Sequence, residues 1–152
     1  VFMSSSSTAV VFTDIFTCQK LDPDGKKFDK VSRLVCTAET HMDVELTFDI
    51  HSELYPIKEG DTLTLALATT VSLDGKLGDG TYDQSGQPSL LDKYAYAMYG
   101  KVFKYDHISD THVAIYISYG GLLMCIKGSQ TDLMGIHVDQ NLYCLIKKTT
   151  DR

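Results

Sequence analysis

The chain has 152 residues, the usual size of one domain and enough to bury a substantial core. Hydrophobic residues make up 43% and charged residues 22%, which is typical of globular proteins and argues against a disordered chain. No apolar run approaches the ~20 residues of a membrane-spanning helix, and the first residues lack the pattern of a secretory signal. We therefore expect a protein that is neither embedded in a membrane nor secreted.

The formal net charge of −6 originates in one segment. Seven acids and one base lie between Glu39 and Asp61, whereas acids and bases balance in the rest of the chain. A chain with this balance is not held to nucleic acid by its overall field. Any contact with nucleic acid therefore has to be local.

Alternation of apolar and polar residues, the period of a β-strand, dominates the chain. It is unbroken in residues 44–51 and again in residues 62–67. Four tyrosines and Phe103 enrich residues 94–105 in the aromatic side chains that strands favour. The predicted strands, in chain order, are residues 10–20, 31–38, 44–51, 62–67, 94–105, 113–119, 122–127 and 142–148.

Turn residues separate these strands. Asp22-Pro23-Asp24-Gly25 is a turn by composition. Gly120-Gly121 divides two strand-like runs and predicts a tight hairpin, because its primed turn needs positive φ at both central residues. Helical pattern is limited to residues 129–136, which are long enough for a turn or two.

Eight short strands in one unit predict an all-β fold, a closed or nearly closed antiparallel barrel, because closure removes exposed strand edges. A β-sandwich is the alternative, and the period does not separate the two. We expect the barrel to span residues 10–148, between an N-terminal tail at 1–9, predicted to be disordered, and a C-terminal tail at 149–152. Residues 73–92 are rich in glycine and polar side chains and predict one long loop, flexible in the isolated chain.

The four cysteines do not have the spacing of a zinc site. Cys36, Cys125 and Cys144 lie in apolar strand-like runs, where a free cysteine behaves as a small hydrophobe. In a reducing compartment we expect buried free thiols rather than disulfides, at Cys18 as well.

No motif commits the chain to catalysis. The glycines at residues 75–80 lack both the dinucleotide fingerprint and the P-loop ending, and residues 22–33 lack the glycine and glutamate positions of a calcium loop. The five histidines are scattered and are expected on the solvated surface, and no nucleophile elbow occurs. We therefore predict no cofactor, no metal and no small-molecule substrate.

One local basic cluster accompanies an aromatic residue near the start of the chain. On a small barrel, such a strip supplies backbone charge and a stacking surface for single-stranded nucleic acid. Three aspartates in the same stretch weaken its field, and a solvated turn is the alternative interpretation. The candidate nucleic-acid-binding residues are Lys20, Lys26, Lys27, Phe28, Lys30 and Arg33.

Several sequence blocks occur in the order and spacing of a known family. They are Phe12-Thr13-Asp14-Ile15-Phe16, residues 22–34, Tyr96-Ala97-Met98-Tyr99-Gly100-Lys101-Val102, Ser118-Tyr119-Gly120-Gly121-Leu122-Leu123-Met124, Gly128 and Tyr143-Cys144-Leu145-Ile146-Lys147-Lys148. Over nearly its whole length the chain thus resembles the eighth subunit of eukaryotic RNA polymerase II, the small common subunit shared by polymerases I, II and III.

The resemblance implies an OB-type antiparallel barrel without catalytic activity of its own. It implies a structural subunit of DNA-directed RNA polymerases that docks mainly on the largest subunit, in the nucleus and the nucleolus. Some members bind single-stranded DNA weakly through an N-terminal region, which matches residues 20–39 here.

Two surfaces are candidates for the partner contact. Tyrosine is favoured at protein interfaces, so the aromatic strand and the Gly-Gly hairpin are predicted to lie at a subunit contact, although Tyr96 and Tyr99 as ordinary barrel core is an equal alternative. Glu45 and Asp49 share the outward side of one strand and predict an acidic docking face; a merely solvated face is the alternative. The candidate interface residues are Tyr96, Met98, Tyr99, Gly100, Gly120, Gly121 and Leu122.

Three functional hypotheses follow. The first is a non-catalytic polymerase subunit. The second is an autonomous OB-fold protein that binds single-stranded nucleic acid, which requires tight, salt-sensitive affinity in the free chain. The third is a small enzyme on a β-barrel, for which the sequence offers no nucleophile, metal set or cofactor loop.

Overall fold

The structure is a computed structural model that describes residues 10–23, 25, 30–70 and 94–149. Eight antiparallel strands form a closed barrel in the order β1-β2-β3-β7-β6-β5-β8-β4. The strands are β1 (Val10–Leu21), β2 (Val31–Ala38), β3 (Glu45–His51), β4 (Thr62–Ala68), β5 (Tyr96–His107), β6 (His112–Tyr119), β7 (Leu122–Ser129) and β8 (Asn141–Lys148). The predicted barrel is confirmed, and the β-sandwich alternative is excluded because β1 pairs with both β2 and β4 to close the ring.

Alternation along each strand divides the side chains between the barrel interior and its outside. The interior is filled by large apolar side chains from all parts of the barrel, with Phe16, Phe48, Leu65 and Ile115 fully buried. Every strand has a hydrogen-bonded neighbour on each side, so none of the eight is an edge strand. The alternation of apolar and polar residues in the sequence therefore reflects side chains that point in turn into this one core and out to the surface.

The Gly-Gly hairpin forms as predicted. Gly120 and Gly121 have φ values of +64° and +99°, the left-handed pair that a primed two-residue turn requires. The turn sets the β6–β7 register, in which Tyr119 lies opposite Leu122.

The expected helical turn at residues 129–136 is instead a series of hydrogen-bonded turns. The Ser129 hydroxyl oxygen accepts hydrogen bonds from the backbone N–H groups of Thr131 and Asp132. These are the donors that an N-cap satisfies, and the Leu133 N–H donates to the Ser129 carbonyl at 3.1 Å, so one α-type turn forms here but does not continue into a helix. Within the described residues there is no helix, and hence none that could cross a membrane.

A second, smaller apolar cluster lies on the outside of β4 and β8. Ala66, Ala68 and Leu145 point away from the interior yet are buried, with Tyr94 and Tyr143 packed against them. The predicted tail at 1–9 and the predicted loop at 73–92 lie outside the described residues, as do residues 150–152, so these boundaries stay predictions.

Candidate partner-binding surfaces

The predicted basic strip is only partly described. Lys20 and Lys30 are exposed, and the Lys30 ammonium lies 4.0 Å from the Glu53 carboxylate, with both side chains in solvent. Lys26, Lys27 and Phe28 lie outside the described residues. The exposed pair of Lys30 and Glu53 contributes little free energy, so the Lys30 charge is still available to a partner.

Arg33 forms a salt bridge with a residue of the neighbouring strand β3. Its Nε and Nη2 donate to the two carboxylate oxygens of Asp49 at 2.7 and 3.1 Å, across the β2–β3 ladder. The backbone N–H of Leu123 on β7 donates to the same carboxylate at 3.0 Å. Such a two-pronged pair is stronger than a single hydrogen bond and fixes both side chains. The guanidinium that was a candidate for nucleic acid thus ties three strands together.

This pairing also corrects the acidic docking face. Glu45 is exposed, as expected, but the Asp49 carboxylate is covered, with only 9% of its side chain exposed. The alternation of side chains along β3 places both acids on the outward side, as predicted. On that side, Arg33 and the β7 backbone cover Asp49. Of the two acids, Glu45 is the one open to a partner.

The aromatic residues at the start of β5 divide between the barrel and its surface. Met98 is part of the core, and Tyr96 is half-buried, with its hydroxyl accepting a hydrogen bond from the His51 backbone N–H at 3.1 Å. Tyr96 also stacks on Tyr55, with ring centroids 5.8 Å apart, and burial raises its pKa. Tyr99, in contrast, is 54% exposed.

The remaining predicted interface residues shape the β5–β6–β7 corner. A Cβ at Gly100 would lie 2.1 Å from the carbonyl oxygen of Ser118, so only glycine allows this close approach of β5 to β6. Gly120 and Gly121 leave open space at the hairpin tip. Leu122 is half-buried and packs against the core.

An outer aromatic surface, defined here as Tyr99, Tyr143, Phe103 and Tyr116, follows β5 and its neighbours β8 and β6. The Tyr99 and Tyr143 rings lie 4.5 Å apart, and the Phe103 and Tyr116 rings 6.2 Å apart. The Lys104 ammonium lies 5.2 Å from the centre of the Tyr116 ring, within the range of a cation–π contact. Of this set, the predicted interface residues included only Tyr99; cross-strand pairing places Tyr143 opposite Tyr99, and Tyr116 opposite Lys104 and next to Phe103.

Two histidines that were expected in solvent are paired with aspartates. His41 Nδ1 lies 2.7 Å from the Asp14 carboxylate, whose side chain is 1% exposed. Burial by itself would raise the pKa of Asp14, but hydrogen bonds from the His41 backbone and ring and from the N–H groups of Thr40 and Ile15 hold this pKa below its ordinary value. His112 Nε2 lies 3.0 Å from Asp43. Both pairs attach the β2–β3 connection to the barrel.

The titratable residues of the described ranges do not assemble into a metal centre. No group of three or more histidine, cysteine, aspartate or glutamate side chains able to hold a metal occurs among them. One surface depression, of about 450 Å³, is lined by Tyr105, Gln130, Met134, Ile136, His137 and Val138.

Comparison with known proteins gives one family. The family model described as RNA polymerase Rpb8 matches residues 13–148. A protein of Caenorhabditis elegans named "Probable DNA-directed RNA polymerases I, II, and III subunit RPABC3" is 46% identical over 145 residues, which cover 92% of this chain and 97% of that protein.

More distant relatives carry the same description. The Dictyostelium discoideum subunit rpabc3 of RNA polymerases I, II and III is 43% identical, with 93% of this chain and 99% of that protein covered. The Saccharomyces cerevisiae subunit RPABC3 is 34% identical, with 91% and 97% covered. The match extends over all eight strands of the barrel apart from the first residues of β1. The chain belongs to the RNA polymerase Rpb8 family.

Proposed function

We propose that the chain is a structural subunit, not itself catalytic, that is common to the nuclear RNA polymerases I, II and III. The observation that carries this proposal is the nearly full-length match to relatives named as subunits of all three enzymes. The subunit supports transcription by stabilising the assembly, mainly through the largest polymerase subunit. Its location is then the nucleus, and the nucleolus for polymerase I.

The outer aromatic surface is our candidate for the main contact with the largest subunit. Exposed tyrosine and phenylalanine offer large contact areas at a low cost in side-chain entropy, and such residues dominate binding energies. Tyr99 and Phe103 are each about half exposed, and the rest of this surface is held by ring contacts to neighbouring strands. A partner therefore meets a rigid aromatic face rather than mobile side chains.

The autonomous nucleic-acid binder is not favoured, because the Arg33 guanidinium is held by Asp49. What remains of that hypothesis is a weak, non-specific contact of single-stranded DNA with the other candidates, Lys20, Lys26, Lys27, Phe28 and Lys30, of which Lys26, Lys27 and Phe28 lie outside the described residues.

The experiment is purification of a tagged chain from its own cells, with co-purifying proteins quantified by mass spectrometry. We expect stoichiometric recovery of the largest subunits of all three polymerases. The double variant Tyr99→Ala, Phe103→Ala is expected to lower that recovery at least about tenfold, because each ring contributes on the order of 1–2 kcal/mol. The matched control is Leu54→Ala, an exposed apolar residue on another part of the barrel, which should leave recovery unchanged.

The outcomes separate the two parts of the proposal. If the unaltered chain recovers no polymerase subunit, the proposed function is wrong. If the unaltered chain recovers them and the folded double variant does so equally well, the function stands and the binding face lies elsewhere. Thermal unfolding of each variant shows whether it is folded.

Glu45 is proposed as a second, electrostatic contact. Glu45→Lys is expected to reduce incorporation at physiological salt, because reversing a charge on a complementary face slows association. Asp49→Lys is not an equivalent test, since it breaks the pair with Arg33 and acts through folding. Full incorporation of the Glu45→Lys chain, measured by the same purification, would show that this face is only solvated.

A further inference from the structure

Two cysteines of the barrel interior lie directly opposite each other. Cys18 on β1 is the cross-strand partner of Cys36 on β2, and both side chains are buried in the main core, at 1% and 0% exposure. The other two cysteines have no cysteine opposite them in the ladders, since Cys125 pairs with Tyr116 and Thr47, and Cys144 with Leu67 and Met98.

The backbone hydrogen bonds show which kind of cross-strand pair this is. The Cys18 N–H donates to the Asp61 carbonyl at 2.9 Å, and the Cys18 carbonyl accepts from the Gly60 N–H at 2.8 Å. Both backbone groups of Cys18 therefore point away from β2, so Cys18 and Cys36 form a non-hydrogen-bonded pair. Cα atoms of such pairs are about 4.5 Å apart, inside the ~4.4–6.8 Å that a disulfide spans.

The two thiols already interact. A hydrogen bond from the Cys36 thiol lowers the pKa of Cys18, against the opposing effects of burial and of the nearby Glu59 and Asp61 carboxylates. The same hydrogen bond, together with burial, raises the pKa of Cys36. The Cys18 sulfur also lies 3.5 Å from the Lys20 carbonyl oxygen, next to the β-bulge between Cys18 and Lys20. Cys18 is thus the more readily ionised partner, and its pair with Cys36 is the last one before the ladder becomes irregular.

We propose that Cys18 and Cys36 form a reversible intramolecular disulfide when the folded chain meets a peroxide. The Cys18 thiolate attacks one peroxide oxygen, which breaks the O–O bond and leaves a sulfenic acid and, after protonation, one water. The Cys36 sulfur then attacks the Cys18 sulfur, which forms the S–S bond and releases the second oxygen as water. Two thiol hydrogens and two electrons have passed to the peroxide, and a small thiol reductant reverses the change by exchange.

Local opening at the bulged end of β1 gives the oxidant access to Cys18. Strand ends open at a lower free energy than the core does, so reaction through this route is slow but does not need global unfolding. The bond would close a loop of 17 intervening residues and fix β1 to β2 at this end of the barrel. This inference is independent of the proposed polymerase role.

The test uses the full, folded chain and dilute hydrogen peroxide in native buffer, followed by an alkylating quench. We expect the four free thiols to fall to two, without dimer formation, and full recovery of the four after dithiothreitol. Trypsin cleaves after Lys20, Arg33 and Lys58, so the expected non-reduced product joins the peptide of residues 1–20 to that of residues 34–58. No thiol loss, or a bond that includes Cys125 or Cys144, would overturn the proposal.

Matched variants sharpen the result. Cys144→Ala, which removes a buried cysteine with no cysteine opposite it, should form the same bond as the unaltered chain. Cys36→Ala should form no bond and instead leave a sulfenic acid on Cys18 that dimedone captures. If Cys36→Ala does not fold, peptide mapping of the unaltered chain still decides, and a denatured sample supplies the scrambled pattern for comparison.

Discussion

At the scale of single residues, Asp14 shows how a polar side chain can be essential to an apolar barrel. Its carboxylate is nearly inaccessible to water and accepts hydrogen bonds from three backbone N–H groups and the His41 ring. The carboxylate thus anchors the connection between β2 and β3 to β1. Sequence reasoning placed Asp14 in a family motif but had no signal for this role, because three of its four hydrogen-bond donors lie 26 or 27 residues away.

Replacing this carboxylate tests the anchor and its pH dependence. Asp14→Asn is expected to lose about 1–3 kcal/mol of unfolding free energy at pH 7, because buried donors lose a charged acceptor. The folded pKa lies below the unfolded value of about 4, so the unfolded chain binds this proton first as the pH falls. The stabilisation is therefore complete above about pH 4 and disappears as the pH drops through the folded pKa.

Urea unfolding at pH 7 and at pH 3 measures this effect. The difference between the unaltered chain and Asp14→Asn should shrink at the lower pH. Asp43→Asn, in the exposed pair with His112, is the control and should change stability by less than about 0.5 kcal/mol. An Asp14→Asn deficit that is equal at both pH values would contradict the anchor.

Gly100 illustrates a different constraint, the absence of space. Gly100→Ala is expected to cost about 3 kcal/mol or more, because the new Cβ would meet the Ser118 backbone oxygen, which moves only with its strand. Gly60→Ala is the matched control: its φ of +90° is strained for alanine, but no atom lies within 4 Å, so about 1 kcal/mol is expected. Thermal unfolding of the two variants compares steric overlap with backbone strain, and equal losses would argue against the clash.

At the scale of elements, periodicity predicted the existence of all eight strands. Their boundaries differ by at most two residues, and ladder pairing accounts for extensions such as that at His107, which pairs with Val113 beyond the predicted end of β5. The alternation of side chains along each strand also predicted which of them point outward. It did not predict what covers them, because Asp49 is covered from β2 and β7, and this depends on a strand order that no local pattern contains.

The three-strand link through Asp49 is open to a direct test. Asp49→Ala is expected to lose about 1–3 kcal/mol, since it leaves the Leu123 N–H and the Arg33 guanidinium without this acceptor. Glu45→Ala, on the same side of the same strand but exposed, should stay within about 0.5 kcal/mol. Denaturant unfolding gives both values, and similar small losses would mean that water replaces the Asp49 contacts without cost.

At the scale of the whole molecule, closure joins the first strand to the last third of the chain. β1 pairs with β4, and β4 pairs with β8, so the N-terminal and C-terminal strands are two places apart in the ring. Long-range pairings of this kind make stability a property of the complete barrel rather than of separate hairpins. The family resemblance implied the same barrel architecture, but neither it nor the periodicity predicted the strand order on which this coupling depends.

We expect unfolding of the chain to be one cooperative transition. Far-ultraviolet circular dichroism and tyrosine fluorescence should give the same denaturation midpoint, because no strand can leave without opening the ring. A chain that ends at residue 140 lacks β8, so β4 and β5 each lose a partner, and it should associate through these open edges. Two separate transitions in the intact chain, or a monomeric and stable shortened chain, would show that closure is not the source of cooperativity.

The closed ring also restricts how another protein can recognise this one. Within the described residues no strand offers a partner a complete free edge to pair with, because each of the eight strands already has two neighbours. A partner therefore has to recognise the outward-facing side chains, and these can be substituted without disturbing the backbone hydrogen bonds between the strands. Binding and folding are for this reason separable by mutation, and a single molecular surface can be altered for one partner while the barrel that presents it stays intact.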